Sequence, residues 1–192
     1  MKAPLSLARG RASYFSSNKS QVLKSLLNKF LLFFFFASPV FAEGSSAALQ
    51  EKFQDWSLFK TNRGDQIVCY LASTPIKTTG SILNRGESFF LVTNIKNDAD
   101  EISVASGFIY KNNSDVELSF GSKKFYLFPY RILAWANEKS ADIDIIKEMQ
   151  KNADMVVTSV SSSGKIASDT YSLIGFTQSY KQLKKICKWK LP

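Results

Sequence analysis

The side chains that carry most protein chemistry are scarce in this sequence of 192 residues. Histidine is absent, which excludes a Ser-His-Asp triad, a Cys-His dyad, a histidine general base and every histidine-containing metal site. Two cysteines, Cys69 and Cys187, are too few for an all-cysteine zinc site. They also form no Cys-x-x-Cys redox pair. Ser57 with Lys60, and Ser162 with Lys165, share a Ser-x-x-Lys spacing. A lysine activates such a serine only from one helical turn away. Here one match falls in a strand pattern, where i and i+3 point apart, and the other in a turn. Gly164-Lys165 lacks the upstream glycine and the following Ser or Thr of a phosphate loop. Asp98, Asp100 and Glu101 lack the glycine and distal glutamate of a calcium loop and read as a solvated turn. A hydrolase using a carboxylate pair such as Asp98 and Glu101 is a further, less favoured reading. No catalytic residue, metal ligand or cofactor is predicted, and the protein is expected not to be an enzyme.

Two segments offer binding chemistry instead. Arg63-Gly64-Asp65 is the tripeptide that integrin ligands present, and it falls at a turn between two strand patterns. It reads either as an adhesive turn or as ordinary Gly and Asp turn chemistry. Lys181, Lys184, Lys185, Lys188 and Lys190 give the C-terminal segment a basic face. Such a patch would bind anionic membranes or glycans in a strongly salt-dependent way. Trp56, Trp135, Tyr171 and Phe176 read either as a ligand groove or as core, with core favoured.

The charge is unevenly placed. The formal net charge is +9. Residues 1–42 hold Lys2, Arg9, Arg11, Lys19, Lys24 and Lys29 and no acid. The rest has 19 basic and 16 acidic residues, so the body is only mildly basic and no nucleic-acid partner is expected. Phe30 to Ala37 is an unbroken apolar run, preceded by Lys24 and Lys29 and followed by Ser38-Pro39-Val40-Phe41-Ala42. This is the order of a secretory signal, with the cut expected between Ala42 and Glu43. The run is too short for a membrane anchor, which needs about 20 apolar residues. The protein is therefore expected to be exported across the inner membrane, and to be periplasmic, secreted or surface-associated. In an oxidising compartment an even cysteine pair usually forms a disulfide, and closing so long a loop is worth about 4–5 kcal/mol in the chain-entropy account. Two buried thiols are the alternative.

The elements that would position these residues are mostly strands. Residues 43–52 are expected to be a flexible lead-in, and 53–192 one domain. Phe53–Phe59 and Ile67–Leu71 read as a hairpin, and Ser88–Ile95 as a central strand. Glu101–Tyr110 is β-rich, and Val116–Phe120 with Lys124–Phe128 flanks a tight turn at Gly121-Ser122. Asp154–Val160 and Ile166–Phe176 read as another hairpin. Asp142–Lys151 carries an apolar stripe of Ile143, Ile146 and Met149, with Ile145 beside it, and is expected to be a helix. Phe176, Tyr180, Leu183 and Cys187 mark a short C-terminal helix. Strands and helices do not alternate, so a parallel sheet is disfavoured. The expected fold is mainly β: an antiparallel β-sandwich or barrel-like single domain with one internal helix and a short C-terminal helix.

The stretch from Trp56 to Cys187 resembles the invasion-associated locus B family of exported bacterial proteins. The resemblance rests on Trp56, Cys69, Ser106-Gly107-Phe108, Ser114-Asp115-Val116 and Lys124-Phe125-Tyr126-Leu127-Phe128. It continues through Ala134-Trp135-Ala136, Met155-Val156-Val157, Gly164, Asp169-Thr170-Tyr171-Ser172-Leu173-Ile174-Gly175-Phe176 and Cys187. Members often carry a further cysteine where this chain has Phe59 and Lys60, and a basic residue where it has Ser163. The resemblance implies a location and a context, an exported protein associated with bacterial entry into host cells, and no reaction; the expected function is that of a non-enzymatic protein acting by contact with a host-surface or envelope protein. An envelope-stability factor with an indirect effect on invasion is the alternative it leaves open.

Overall fold

Strand structure begins earlier than the alternation of apolar residues indicates. The computed structural model describes residues 47–64, 66–95 and 99–187. The expected signal segment, with Ala42 and Glu43, lies outside them. Where a flexible lead-in to residue 52 was expected, Ala48–Phe53 forms β1. It pairs antiparallel with β2, Trp56–Arg63, through Lys52 opposite Ser57 and Phe53 opposite Trp56. Ala48 to Lys52 are all exposed, so this edge strand carries no apolar alternation for a sequence reading to detect.

The expected first hairpin is β2 with β3, Gln66–Ser73. After β3 come β4 (Lys77–Thr79), β5 (Phe89–Ile95) and β6 (Ala99–Ala105). Next are β7 (Val116–Phe120), β8 (Lys123–Tyr130), β9 (Leu133–Ala136) and the helix α1 (Lys139–Met149). The described chain ends with β10 (Asp154–Val160), β11 (Ile166–Ser172) and α2 (Phe176–Ile186). The short strands β4 and β9 were not expected. The strand from Glu101 stops at Ala105, because the chain turns at Gly107, whose φ of +73° suits glycine. A side chain on Gly107 would also strike the Gly86 carbonyl. The strand from Ile166 stops at Ser172, and Gly175, at φ +87°, starts α2.

Among the described residues eleven strands form one antiparallel sheet, ordered β1-β2-β3-β5-β6-β9-β8-β7-β10-β11-β4. The position of β4 shows how this sheet is shaped. Its neighbours in sequence, β3 and β5, lie in the first half, yet it pairs with β11 at the far edge. Four residue steps from Ser73 to Lys77 span at most about 14 Å. The far edge must therefore come back to the end of β3. The sheet is rolled on itself, which is the barrel-like form of the expected fold. Trp56 Nε1 donates to the Ser172 carbonyl at 3.0 Å, and the Phe90 and Tyr171 rings lie 5.8 Å apart, closing β2 and β5 over β11.

The inward residues of this roll are fully buried, Leu58, Leu71, Phe90, Val92, Ile102 and Leu118 among them. Each contributes about 1.5–3 kcal/mol by leaving water. The helix α2 completes the core: Phe176 packs 4.9 Å from Trp56 and Leu183 is fully buried. Trp56, Tyr171 and Phe176 are thus core residues, as favoured. Cys187 is joined to Cys69 on β3, 118 positions away, with the Cα atoms 6.1 Å apart. Helix α1 starts at Lys139 rather than Asp142. It buries Asp142, Ile145, Ile146 and Met149, while Ile143 is 45% exposed. The expected stripe is therefore rotated by one position, with an acid taking the place given to Ile143.

The connection from β4 to β5 is held by a second fastening. Arg85 forms a buried ion pair with Asp169 on β11. Its Nε donates to the Ser106 carbonyl at 2.8 Å and its Nη2 to Ser88 Oγ at 2.7 Å. Thr78 Oγ1 donates to the other Asp169 oxygen at 2.9 Å. Arg85 Nη1 is buried without a hydrogen-bond partner among the described residues.

Candidate functional site

In β2, β3 and β5 the inward residues alternate with outward ones, and the outward set is unusually apolar. Phe59 on β2 stands in register with Tyr70 on β3. Their rings stack 5.2 Å apart with planes 15° from parallel. Val68, Ala72, Phe89 and Leu91 continue this floor. A sheet face turned to water is normally polar. Here the face opposite the core is a groove of about 880 Å³. Polar groups sit around its ends: Lys52 from β1 with Gln54 and Asp55 from the β1–β2 turn, and Thr61 and Asn62 toward the β2–β3 turn. Partial burial raises the pKa of the Tyr70 phenol above its ordinary value. The floor offers apolar and aromatic contact, and the charged groups of the lining, Lys52 and Asp55, stand at one end of it. The sequence signal was present in Ser88–Ile95, whose run of Phe89, Phe90, Leu91 and Val92 is apolar on both faces.

The residues singled out from sequence are dispersed. Gly64 sits in the β2–β3 turn at φ +60°, just beyond the Thr61 and Asn62 end of the groove. Arg63 ends β2 opposite Gln66, and Asp65 lies outside the described residues. The turn is thus where it was expected, beside an apolar groove that was not. Lys181, Lys184 and Lys185 lie on α2. Lys184 Nζ pairs with Asp100 Oδ2 at 3.2 Å, so its charge serves the fold. Lys188 and Lys190 lie outside the described residues. Asp100 also accepts from Asn94 Nδ2 at 2.8 Å and from Tyr180 OH at 2.6 Å. It fastens α2 to β6. Asp98 is outside the described residues. Ser57 lines the groove, while Lys60 stands opposite Cys69 on β3. Trp135 is not core: it is half-buried on the outer face of β9, its ring 5.7 Å from Phe128.

Sequence reasoning missed the polar interior around Arg85 and Asp169. Tyr110 OH belongs to it, at 2.9 Å from Ser106 Oγ and 3.1 Å from the Val104 carbonyl. Burial pushes the Tyr110 phenol up to about 12, against the pull of its bonds to Ser106. Tyr171 is raised further still, by burial and by the nearby Asp169 charge. These are neutral, structural phenols at any physiological pH.

Residues 56–184 match the sequence family described as invasion associated locus B (IalB) protein. The solved structure of invasion associated protein B from Bartonella henselae aligns with a TM-score of 0.54 and 13% identity, covering 74% of this chain and 100% of that one. At that identity the likeness is one of fold. No curated protein matches the sequence. The family match begins at the core residue Trp56 and ends at Lys184 in α2, spanning strands β2 to β11, helix α1 and most of α2, and the chain belongs to the invasion associated locus B family.

Proposed function

We propose that this is an exported, non-enzymatic protein that supports bacterial interaction with host cells by surface contact. In this reading the outer groove of β2, β3 and β5 receives an apolar segment of a host-surface protein. The observation that carries it is the aromatic and aliphatic floor built on Phe59, Tyr70 and Leu91, on the sheet face that the chain's own core does not use. Export is supported by the signal pattern of residues 1–42, and the invasion context by the family. The β2–β3 turn with Arg63 and Gly64 would stand at the edge of such a contact.

The test is binding of the purified, oxidised protein to intact host cells, beside a reduced control and a Leu91→Lys variant. Saturable binding, lost in Leu91→Lys and weakened on reduction, is the expected result. Absence of binding would overturn this reading in favour of an envelope role, with partners to be sought in the periplasm. Binding that survives Leu91→Lys but falls steeply with salt would move the contact to the lysines of α2.

A further inference from the structure

A second hollow, on the outer face of β8 and β9, has a different chemistry. It measures about 610 Å³ and lies between that face and the first turn of α1. Phe128, Tyr130 and Trp135 form its aromatic wall, and Glu101, Glu138 and Asp142 face them. Lys139 is the one cation in the lining, and among the described residues none of these three acids makes an ion pair. Asp142 is the unusual member. It is only 8% exposed, and its Oδ1 accepts the Ile102 N–H at 2.8 Å. That bond answers a local need, because β6 pairs with β9 only at Ser103 and Val104. Its second oxygen has no hydrogen-bond partner among the described residues. A nearly buried carboxylate without a countercharge is costly to keep ionised, and burial, with Glu101 and Asp100 nearby, raises its pKa.

An arriving cation would supply the missing charge. No three acids among the described residues converge closely enough to hold a metal ion. An organic cation suits the geometry better, since ring faces attract ammonium and guanidinium groups and carboxylates receive their N–H donors. The hollow opens onto a row of exposed rings, Tyr126, Phe128 and Tyr130, alternating along one strand. Over four residues that row runs about 13 Å, which is longer than a single small ion and fits an extended chain.

We propose that this hollow binds an arginine or lysine side chain carried on an extended segment of a partner protein, the cation seated between Trp135 and Asp142 and the rest of the segment lying along the β8 rings.

Calorimetric titration of the purified protein with a tetra-arginine peptide, and separately with free spermidine, tests this. The peptide is expected to bind saturably. Asp142→Asn keeps an acceptor for Ile102 and should weaken binding about tenfold, as the loss of one partly buried charge contact implies. Glu101→Gln, a substitution of a half-buried residue outside the core, should weaken it in the same direction. Glu51→Gln, on the distant strand β1, should leave it unchanged. The proposal is overturned by no saturable peptide binding, by binding that Asp142→Asn and Glu101→Gln both leave intact, or by an equal loss in Glu51→Gln, which would mean diffuse charge attraction. Binding of spermidine without the peptide would also overturn it, by making the ligand a free amine.

Discussion

Two fastenings tie distant parts of the chain, and they are built from opposite chemistry. The Cys69–Cys187 bond holds the end of α2 to β3 across 118 positions. The Arg85–Asp169 pair holds the β4–β5 connection to β11 across 84 positions. The first limits the unfolded chain and needs little from its surroundings. The second depends wholly on the folded environment. Two charges have left water, and they are tolerated because Ser88, Ser106 and Thr78 supply further hydrogen bonds. The covalent fastening contributes stability wherever the fold can reach it. The ionic one makes the fold conditional: its main effect is to penalise any arrangement in which either partner is left alone.

Breaking each fastening should separate these roles. Replacing both cysteines by serine is expected to lower stability most, by about 4–5 kcal/mol on loop entropy alone. Denaturant midpoints of the oxidised protein and the double variant would measure it. Arg85→Ala is expected to cost about 3–5 kcal/mol by stranding a buried Asp169, whereas Arg85→Met with Asp169→Leu should recover much of that loss. If the double replacement is as damaging as the single one, the pair contributes more than mutual neutralisation. Asp142→Ala, which orphans the Ile102 N–H without removing a countercharge, should cost about 1–3 kcal/mol.

Asp142 makes stability depend on pH. Its pKa in the folded protein lies above the ordinary 3.8. The folded state therefore binds this proton more tightly than the unfolded one. The resulting stability is fully present below the unfolded value and is lost as pH rises through the raised folded value. Relative to the native protein, Asp142→Asn should accordingly gain stability as pH climbs through that interval, seen as converging or crossing midpoints in a pH series. The smallest effect is expected at Lys147→Ala. It removes a fully exposed i,i+3 pair with Asp144 and should leave the melting temperature unchanged, since such pairs contribute little.

Legibility in the sequence followed the kind of constraint involved. Cysteines offered a single pairing, so Cys69–Cys187 could be anticipated. Arg85 and Asp169 could not, because 25 basic and 16 acidic residues admit too many partners and nothing local marks the two that meet. The β2–β3 and β10–β11 hairpins and α2 were readable because their periodicity is set by burial on one face. Strand β1 has no buried face, and β4 is three residues long; neither leaves a pattern. Helix α1 was misphased because Asp142 occupies a buried position for the sake of a strand N–H, a tertiary demand that no helical wheel contains. The groove was half legible. The double-sided apolarity of β5 was visible as a buried central strand, but which of its faces stays open depends on where α2 and β11 pack.

The excursion of β4 also orders events in time. Thr79 lies beside Ser168, 89 positions later. A chain made from its N-terminus at roughly 5–20 residues per second emits β4 some 4–18 s before its partner exists. Until β11 arrives, β4 hangs between β3 and β5 as an unmatched edge. The seam of the barrel therefore cannot close until β11 is made, and through that interval the Arg85 segment has neither Asp169 nor β11 to shelter it; α2 and the Cys187 fastening follow later still.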